Sequence, residues 1–217
     1  MKRGDHTFLL TDRGEAGFSL IELLLCLILT LILLGAAVMA FSNALAGRSY
    51  QAARTDAIVS AEAAINIMSR EIGNSGYGLL TNGLVVGDST SSRIHMRSNV
   101  SNNDFATDDQ NEDVTFYCNV CSASGGSVVR YDAYNGGSTS GIINSVSNVQ
   151  FQYWDYNEIT HSVTGPFNVP TLSTGRVTIT LTVVLSNVHG APAGSTSNVA
   201  VRSDVTLRNS PYMLNRY

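Results

Sequence analysis

The segment Gly17-Phe18-Ser19-Leu20-Ile21-Glu22 opens a long apolar stretch that continues from Leu23 to Phe41. Between Leu23 and Phe41, Thr30 carries the one hydroxyl group. A helix of about 20 apolar residues is long enough to cross the hydrocarbon layer of a bilayer. The sequence therefore predicts a membrane-spanning helix near the N-terminus, and this helix decides the architecture of the rest of the chain.

Glu22 is the exception in this apolar segment, because it is a carboxylate close to the start of the predicted membrane helix. An acidic side chain at the centre of a membrane helix costs roughly 2.5–3.5 kcal/mol on insertion scales. We therefore expect Glu22 to have a partner or a function.

The motif Gly-Phe-Ser-Leu-Ile-Glu followed by an apolar run resembles the class III signal of type IV pilins and type II secretion pseudopilins. The resemblance implies that prepilin peptidase cleaves after Gly17 and methylates the new N-terminal residue, Phe18. It also implies that Glu22 pairs with the free amine of Phe18 in a neighbouring subunit. The alternative is an ordinary signal anchor in which the glutamate occurs by chance.

The chain divides into four predicted parts, and its 217 residues suit one membrane segment plus one domain. Cytoplasmic flanks of membrane helices are rich in Lys and Arg, and the first part carries Lys2, Arg3 and Arg13. We therefore expect the N-terminus inside and the bulk of the chain outside the cytoplasm. The parts are a leader (1–17), an assembly helix (18–41), an amphipathic continuation (42–73) and an extracytoplasmic β domain (74–217).

Composition argues against an enzyme or a general nucleic-acid binder. The formal net charge is −4, which gives no general attraction to nucleic acid. Lys2 is the only lysine and would leave with the leader, which excludes a P-loop or Schiff-base lysine from the mature chain. There is no G-x-S-x-G or H-E-x-x-H motif. The sequence thus predicts no catalytic residue.

Helical periodicity continues beyond the membrane segment. Apolar residues recur there at spacings of three and four, which predicts an amphipathic helix. This stripe consists of Ile58, Ala61, Ile65, Met68 and Ile72. Gly73-Asn74-Ser75-Gly76 supplies a stop signal.

The remainder of the chain alternates apolar and polar residues, as half-buried antiparallel strands do. The glycine-rich segment Gly136–Gly141 predicts a turn. The predicted fold class is therefore α+β, with a long N-terminal helix packed on a C-terminal antiparallel sheet. Strands are predicted at Arg93–Arg97, Val114–Cys118, Val128–Asp132, Asn148–Asp155, Arg176–Leu185 and Val199–Leu207.

The later motifs Phe116-Tyr117-Cys118, Val129-Arg130-Tyr131-Asp132 and Val205-Thr206-Leu207 are similar to those of PilW-type minor pilins and J-type minor pseudopilins. The resemblance implies a non-enzymatic subunit of a pilus tip or priming complex, with other pilins and prepilin peptidase as partners. Two alternatives stay open. One is a pseudopilin that serves protein export, and the other is a tip module that binds calcium, DNA or a surface.

Cys118 and Cys121 form a C-x-x-C motif beyond the predicted membrane helix, whereas Cys26 lies within it. An oxidising compartment favours a structural disulfide between the first two. Reduced thiols remain an alternative, as does a metal or redox role. However, the chain has no second C-x-x-C motif to complete a zinc site.

The segment 104–113 is dense in oxygen ligands that could bind calcium, although it lacks the spacing of an EF-hand loop. A solvated acidic loop is the other interpretation. The candidate ligands are Asp104, Asp108, Asp109 and Asp113.

Arg93, His95 and Arg97 alternate along one predicted strand and would share one face. A charged strand that protects a sheet edge is one interpretation, and contact with DNA phosphates is the other. A second strand carries Phe151, Tyr153, Trp154 and Tyr156, for which we predict core packing or a subunit interface.

Overall fold

The computed structural model describes residues 17–101, 104, 106–157, 159–185, 198–210 and 213. The predicted leader lies outside the described residues, except for Gly17. The chain forms two compact units, Met1–Leu45 and Ala46–Tyr217.

The described residues form one long helix followed by seven strands, which confirms the predicted α+β class. The helix is α1 (Leu20–Gly73), and the strands are β1 (Arg93–Arg97), β2 (Asp113–Asn119), β3 (Gly126–Asp132), β4 (Ser138–Asn157), β5 (Ser162–Phe167), β6 (Thr174–Val184) and β7 (Asn198–Thr206).

The described part of the first unit is the apolar portion of α1. Its most apolar window has a mean hydropathy of 2.9, and the helix is long and apolar enough to cross a membrane. All of its side chains from Leu20 to Leu45 are exposed in the single chain. A helix that is apolar on every side requires a lipid or protein environment around it. The boundary at Phe41 between spanning and amphipathic parts stays a prediction.

In the second unit, the remaining turns of α1 bury one stripe of side chains. Ala61, Ile65, Met68 and Ile72 are buried as the period predicts, and Ile58 is partly buried. Small residues contribute as well, because Ala57 and Ala64 lie in the same core. The helix ends at Gly73, within the predicted stop signal.

The sheet is antiparallel, with the order β1-β2-β3-β4-β6-β7, and β5 pairs with β4 outside this path. Its core face carries large buried side chains such as Phe116, Phe151 and Ile179. The aliphatic residues Val177, Ile179 and Leu181 of β6 are buried in this core, and Thr178 between them is buried as well. These strands and the helical stripe share one hydrophobic core.

Two parts of the sheet differ from the prediction. Ser138–Gly141, predicted as a turn, forms the start of the 20-residue strand β4 and pairs with β3. Strand β5 was not predicted at all. Residues 138–141 and all six residues of β5 are exposed. Such segments lack the buried alternation that marks a strand in sequence, and backbone pairing alone holds them in the sheet.

We expect Met68→Ala to destabilise the second unit by about 2–5 kcal/mol, because Met68 is completely buried and the substitution leaves a cavity. Val59→Ala is the matched control, since Val59 is exposed on the same helix, and a change within about 0.5 kcal/mol is expected. Urea unfolding of the full chain in detergent, followed by the fluorescence of its single tryptophan, measures both. Equal effects of the two substitutions would contradict this packing.

Candidate functional sites

The candidate assembly site lies where α1 begins. The backbone carbonyl of Ser19 accepts hydrogen bonds from the amides of Glu22, at 3.0 Å, and Leu23, at 3.1 Å. The helix therefore starts directly behind Phe18, whose side chain is 76% exposed. Glu22 falls in the first helical turn, where a carboxylate interacts favourably with the positive end of the helix dipole.

The Glu22 carboxylate is exposed and forms no ion pair or side-chain hydrogen bond with any described residue. Among the described residues, the structure thus shows no polar side-chain contact between Glu22 and Phe18 of the same chain. The roles inferred for Gly17, Phe18 and Glu22 concern a peptidase and a second subunit, and they stay predictions.

The predicted C-x-x-C pair lies at the end of β2. The sulfur atoms of Cys118 and Cys121 are in bonding contact, and their Cα atoms are 5.7 Å apart. Both side chains are partly buried against the core. Val120 between them has a positive φ of 55° and turns the chain back toward β3. This spacing of the Cα atoms suits a disulfide.

Part of the acidic segment is not a solvated loop, which corrects that interpretation. Glu112 and Asp113 are buried. The Glu112 carboxylate accepts hydrogen bonds from the backbone amides of Ser101, at 2.9 Å, and Asp109, at 3.2 Å. A buried carboxylate with backbone donors organises the loop around itself.

The four candidate calcium ligands do not form a cluster. Within the described ranges, no group of three or more His, Cys, Asp or Glu side chains could hold a metal ion. Asp113 is the first residue of β2, and its side-chain oxygens instead contact His95 and Arg97 of the neighbouring strand β1. Calcium binding by Asp104, Asp108, Asp109 and Asp113 stays a prediction.

The alternating Arg and His side chains of β1 contact two carboxylates. Arg93 and His95 both contact Asp88 at 2.8 Å, and the other ring nitrogen of His95 contacts Asp113 at 2.6 Å. Arg97 contacts the second oxygen of Asp113 at 2.8 Å. The positive charge of this strand face is thus matched by two carboxylates. Sequence reasoning missed Asp88, because its loop lies outside the strand pattern.

A second ionic cluster ties α1 to the sheet. Arg130 on β3 contacts Glu71 near the end of the helix at 2.9 Å and Asp132 at 3.3 Å. It also donates to the side-chain oxygen of Asn111 at 2.8 Å. The guanidinium is largely buried and uses several of its donors, so this cluster fixes geometry inside the second unit.

The aromatic residues of β4 lie on both faces of the sheet. Phe151 and Tyr153 are completely buried in the core. Burial raises the pKa of Tyr153, which keeps its hydroxyl neutral. This hydroxyl donates to the carbonyl oxygen of Thr90 at 2.9 Å and so holds the loop before β1.

Trp154 and Tyr156 lie on the opposite face and are partly exposed. The guanidinium carbon of Arg176 lies 4.4 Å from the centre of the Trp154 ring. The indole N–H of Trp154 donates to the hydroxyl of Thr178 at 2.9 Å. The sequence did not reveal this cation next to the aromatic pair, because the two strands meet only through the sheet register.

Comparison with known proteins adds one finding. Residues 12–38 match the family described as the prokaryotic N-terminal methylation motif. This match begins in the predicted leader and extends over the apolar turns of α1. Neither the curated proteins nor the solved structures include a match to the chain. The motif, together with an apolar N-terminal helix and an antiparallel sheet, supports a type IV pilin-like protein that is processed by prepilin peptidase and assembles with other pilins.

Proposed function

We propose that this chain is a minor pilin of a type IV pilus, a structural subunit of the tip or priming complex. One observation carries the proposal: the methylation motif at residues 12–38 overlaps an exposed apolar helix, and the carboxylate in its first turn, Glu22, has no ion-pair partner among the described residues. A pilin-like family is a structural kind of protein, and the proposed role needs no catalysis.

The proposed mechanism is lateral transfer of the Phe18–Phe41 helix from lipid into a bundle of similar helices. Lipid chains are as apolar as leucine, so the hydrophobic effect gives little preference for the bundle over the bilayer. Close packing and a specific polar contact must supply that preference. The Glu22 carboxylate and the cleaved, methylated N-terminus of a neighbouring Phe18 would form such a contact.

The proposed location of the protein follows from the same Phe18–Phe41 helix. The helix anchors the precursor in the inner membrane, and the second unit lies outside the cytoplasm. An oxidising compartment there would close the disulfide between Cys118 and Cys121, whose Cα atoms are already 5.7 Å apart. After cleavage behind Gly17, the subunit would leave the membrane for the pilus.

Two alternative functions were considered for this sequence, a pseudopilin and a ligand-binding tip module. A J-like minor pseudopilin of type II secretion would carry the same motif and the same helix. A tip module for calcium or DNA has less support, because Arg93, His95 and Arg97 already face Asp88 and Asp113.

Purification of the tagged full chain from crosslinked membranes tests the proposal. We expect other pilin-like subunits to co-purify, and the pilus subunits among them would identify the machine. Recovery of pseudopilins would favour the secretion alternative. A control preparation in which Thr30→Val replaces the hydroxyl should give the same partners, because among the described residues the Thr30 hydroxyl bonds only to the carbonyl of Leu27 in its own helix. A chain recovered without any other subunit would contradict the assembly function.

A further inference from the structure

The chain contains two Asn-Gly dipeptides, Asn82-Gly83 and Asn135-Gly136. Glycine has no Cβ atom to shield its backbone nitrogen, so this nitrogen can approach the side-chain amide of the preceding asparagine. In water, that approach allows the nitrogen to attack the amide and release ammonia. The fold places the two dipeptides in opposite environments, and these environments determine where the reaction can occur.

Asn82-Gly83 is held at both reacting groups. The Asn82 side chain is completely buried, and its Nδ2 donates to the carbonyl oxygens of Thr171, at 2.9 Å, and Thr174, at 3.0 Å. The backbone nitrogen of Gly83, which would be the nucleophile, donates to the hydroxyl of Thr81 at 3.3 Å. An attack would break these contacts in a buried place, which is unfavourable, so the folded chain protects Asn82.

Asn135-Gly136 lies in the exposed turn between β3 and β4. The carbonyl of Asn135 accepts a hydrogen bond from the amide of Ser138 at 3.1 Å, and the φ angles of Gly136 and Gly137 are 63° and 64°. Positive φ at both central residues is typical of a type I′ hairpin turn. Asn135 and Gly136 are both exposed, so water reaches each of them.

Neither reacting group of this second dipeptide is held by a contact. Among the described residues, the Asn135 side chain forms no hydrogen bond, and the Gly136 amide has no acceptor. A Cβ atom at Gly136 would have no neighbouring atom within 4 Å. The surroundings therefore leave room for the Asn135 side chain to rotate toward the Gly136 nitrogen.

We propose that Asn135 is a site of spontaneous deamidation in the folded chain, whereas Asn82 is protected. Water or hydroxide removes the proton of the Gly136 amide, and the nitrogen forms a bond to Cγ of Asn135. The bond between Cγ and Nδ2 breaks, and ammonia leaves. Water then opens the five-membered imide at one of its two carbonyl groups and gives aspartate or isoaspartate.

Either product places a carboxylate in the turn, where an uncharged amide stood before. In isoaspartate the main chain runs through Cγ, so the oxygen of residue 135 that accepts from Ser138 becomes part of a free carboxylate. Residues 134–141 are all exposed, so the change alters the charge of the surface and leaves the core intact. The modification goes beyond the proposed assembly through α1 and stands or fails independently of it.

Incubation of the full chain in detergent, in mildly alkaline buffer made with heavy-oxygen water, tests the proposal. Each conversion replaces an amide NH₂ by OH and takes up one heavy oxygen atom from water. Trypsin digestion in ordinary water then places Asn82 and Asn135 on different peptides, 71–93 and 131–176, which mass spectrometry with fragment sequencing distinguishes. We expect Asn135 to convert at least about tenfold faster than Asn82, because Asn82 reacts only after its buried site opens.

The matched control lies on the same peptide as Asn135. Asn144 is also exposed, but serine follows it, so its neighbour carries a Cβ atom that shields the backbone nitrogen. We expect Asn144 to take up label much more slowly than Asn135. Label at Asn135 that is no faster than label at Asn144 would overturn the role of the Gly136 nitrogen.

The same incubation in concentrated urea separates the effect of the fold from the effect of the dipeptide. Unfolding exposes both Asn-Gly pairs, so Asn82 and Asn135 should then convert at similar rates. Equal rates at the two residues in the folded chain, or a rate ratio that urea leaves unchanged, would overturn the proposal.

Discussion

Gly17→Ala is expected to leave the chain in the membrane with its leader, Met1 to Gly17, still attached. The proposed cleavage follows residue 17, and a methyl group there would sit beside the carbonyl that the peptidase attacks. In the structure, a Cβ atom at Gly17 would have no neighbouring atom within 4 Å. The substitution therefore leaves the described fold intact, and a loss of processing would report on the peptidase alone.

Intact mass spectrometry of the full chain from membranes measures this outcome, since cleaved and uncleaved chains differ by the leader. Gly35→Ala is the matched control, because Gly35 lies in the apolar part of α1 and also has no atom within 4 Å of its Cβ position. It should be processed normally. Removal of the leader from the Gly17→Ala chain at the normal rate would contradict the assigned cleavage position.

The helix and most of the strands were predictable because their burial repeats along the chain. Ala61, Ile65, Met68 and Ile72 fall on one side of α1 by spacing alone, and the structure buries that side. In β6 the alternation of aliphatic residues with threonines likewise specifies which face enters the core. Local periodicity is sufficient in both cases, since one face of each element is apolar.

Strand β5 and the first residues of β4 were not predictable by the same means. None of their side chains is buried. Residues 138–141 carry no apolar side chain larger than glycine, and Gly165-Pro166 interrupts the pattern of β5. Their pairing depends on backbone hydrogen bonds to strands elsewhere in the sheet. These bonds do not depend on the type of side chain, so the periodicity of the sequence does not predict them.

The candidate sites also differ in whether the sequence alone reveals them. Gly17, Phe18 and Glu22 lie within six consecutive residues, so a sequence motif identifies them. Trp154 and Arg176 become neighbours only through the register of β4 with β6, and Asp88 reaches His95 only through a folded loop. Pairs of this kind require the three-dimensional structure, because no local spacing connects their members.

Glu22→Ala should leave cleavage largely intact but reduce incorporation of the subunit into fibres by more than about tenfold. Removing one partner of a buried, hydrogen-bonded charge pair costs about 2–5 kcal/mol, much of it from the charge left behind. In the assembled bundle, the charge left without a partner would be the amine of a neighbouring Phe18. Among the described residues Glu22 has no ion-pair partner, so the free subunit should be unaffected.

The ratio of subunit in sheared fibres to subunit in membranes measures the effect, and intact mass shows the state of the leader in each fraction. Glu22→Gln separates charge from size, because it keeps a side chain of similar length without the negative charge. We expect it to assemble nearly as poorly as Glu22→Ala. Thr30→Val is the control, since the Thr30 hydroxyl donates to the carbonyl of Leu27 at 2.9 Å and needs no partner from outside.

These two substitutions also distinguish pairing from a general aversion to charge in the bilayer. Were Glu22 only a costly residue in a membrane helix, its removal would make the helix more apolar and would favour residence in lipid without any specific loss. Glu22→Gln would then assemble at least as well as the unaltered chain. Normal fibre incorporation of both Glu22 variants would contradict the pairing with Phe18, whereas loss in both, with Thr30→Val unaffected, would identify the carboxylate charge as the feature that the neighbouring subunit recognises.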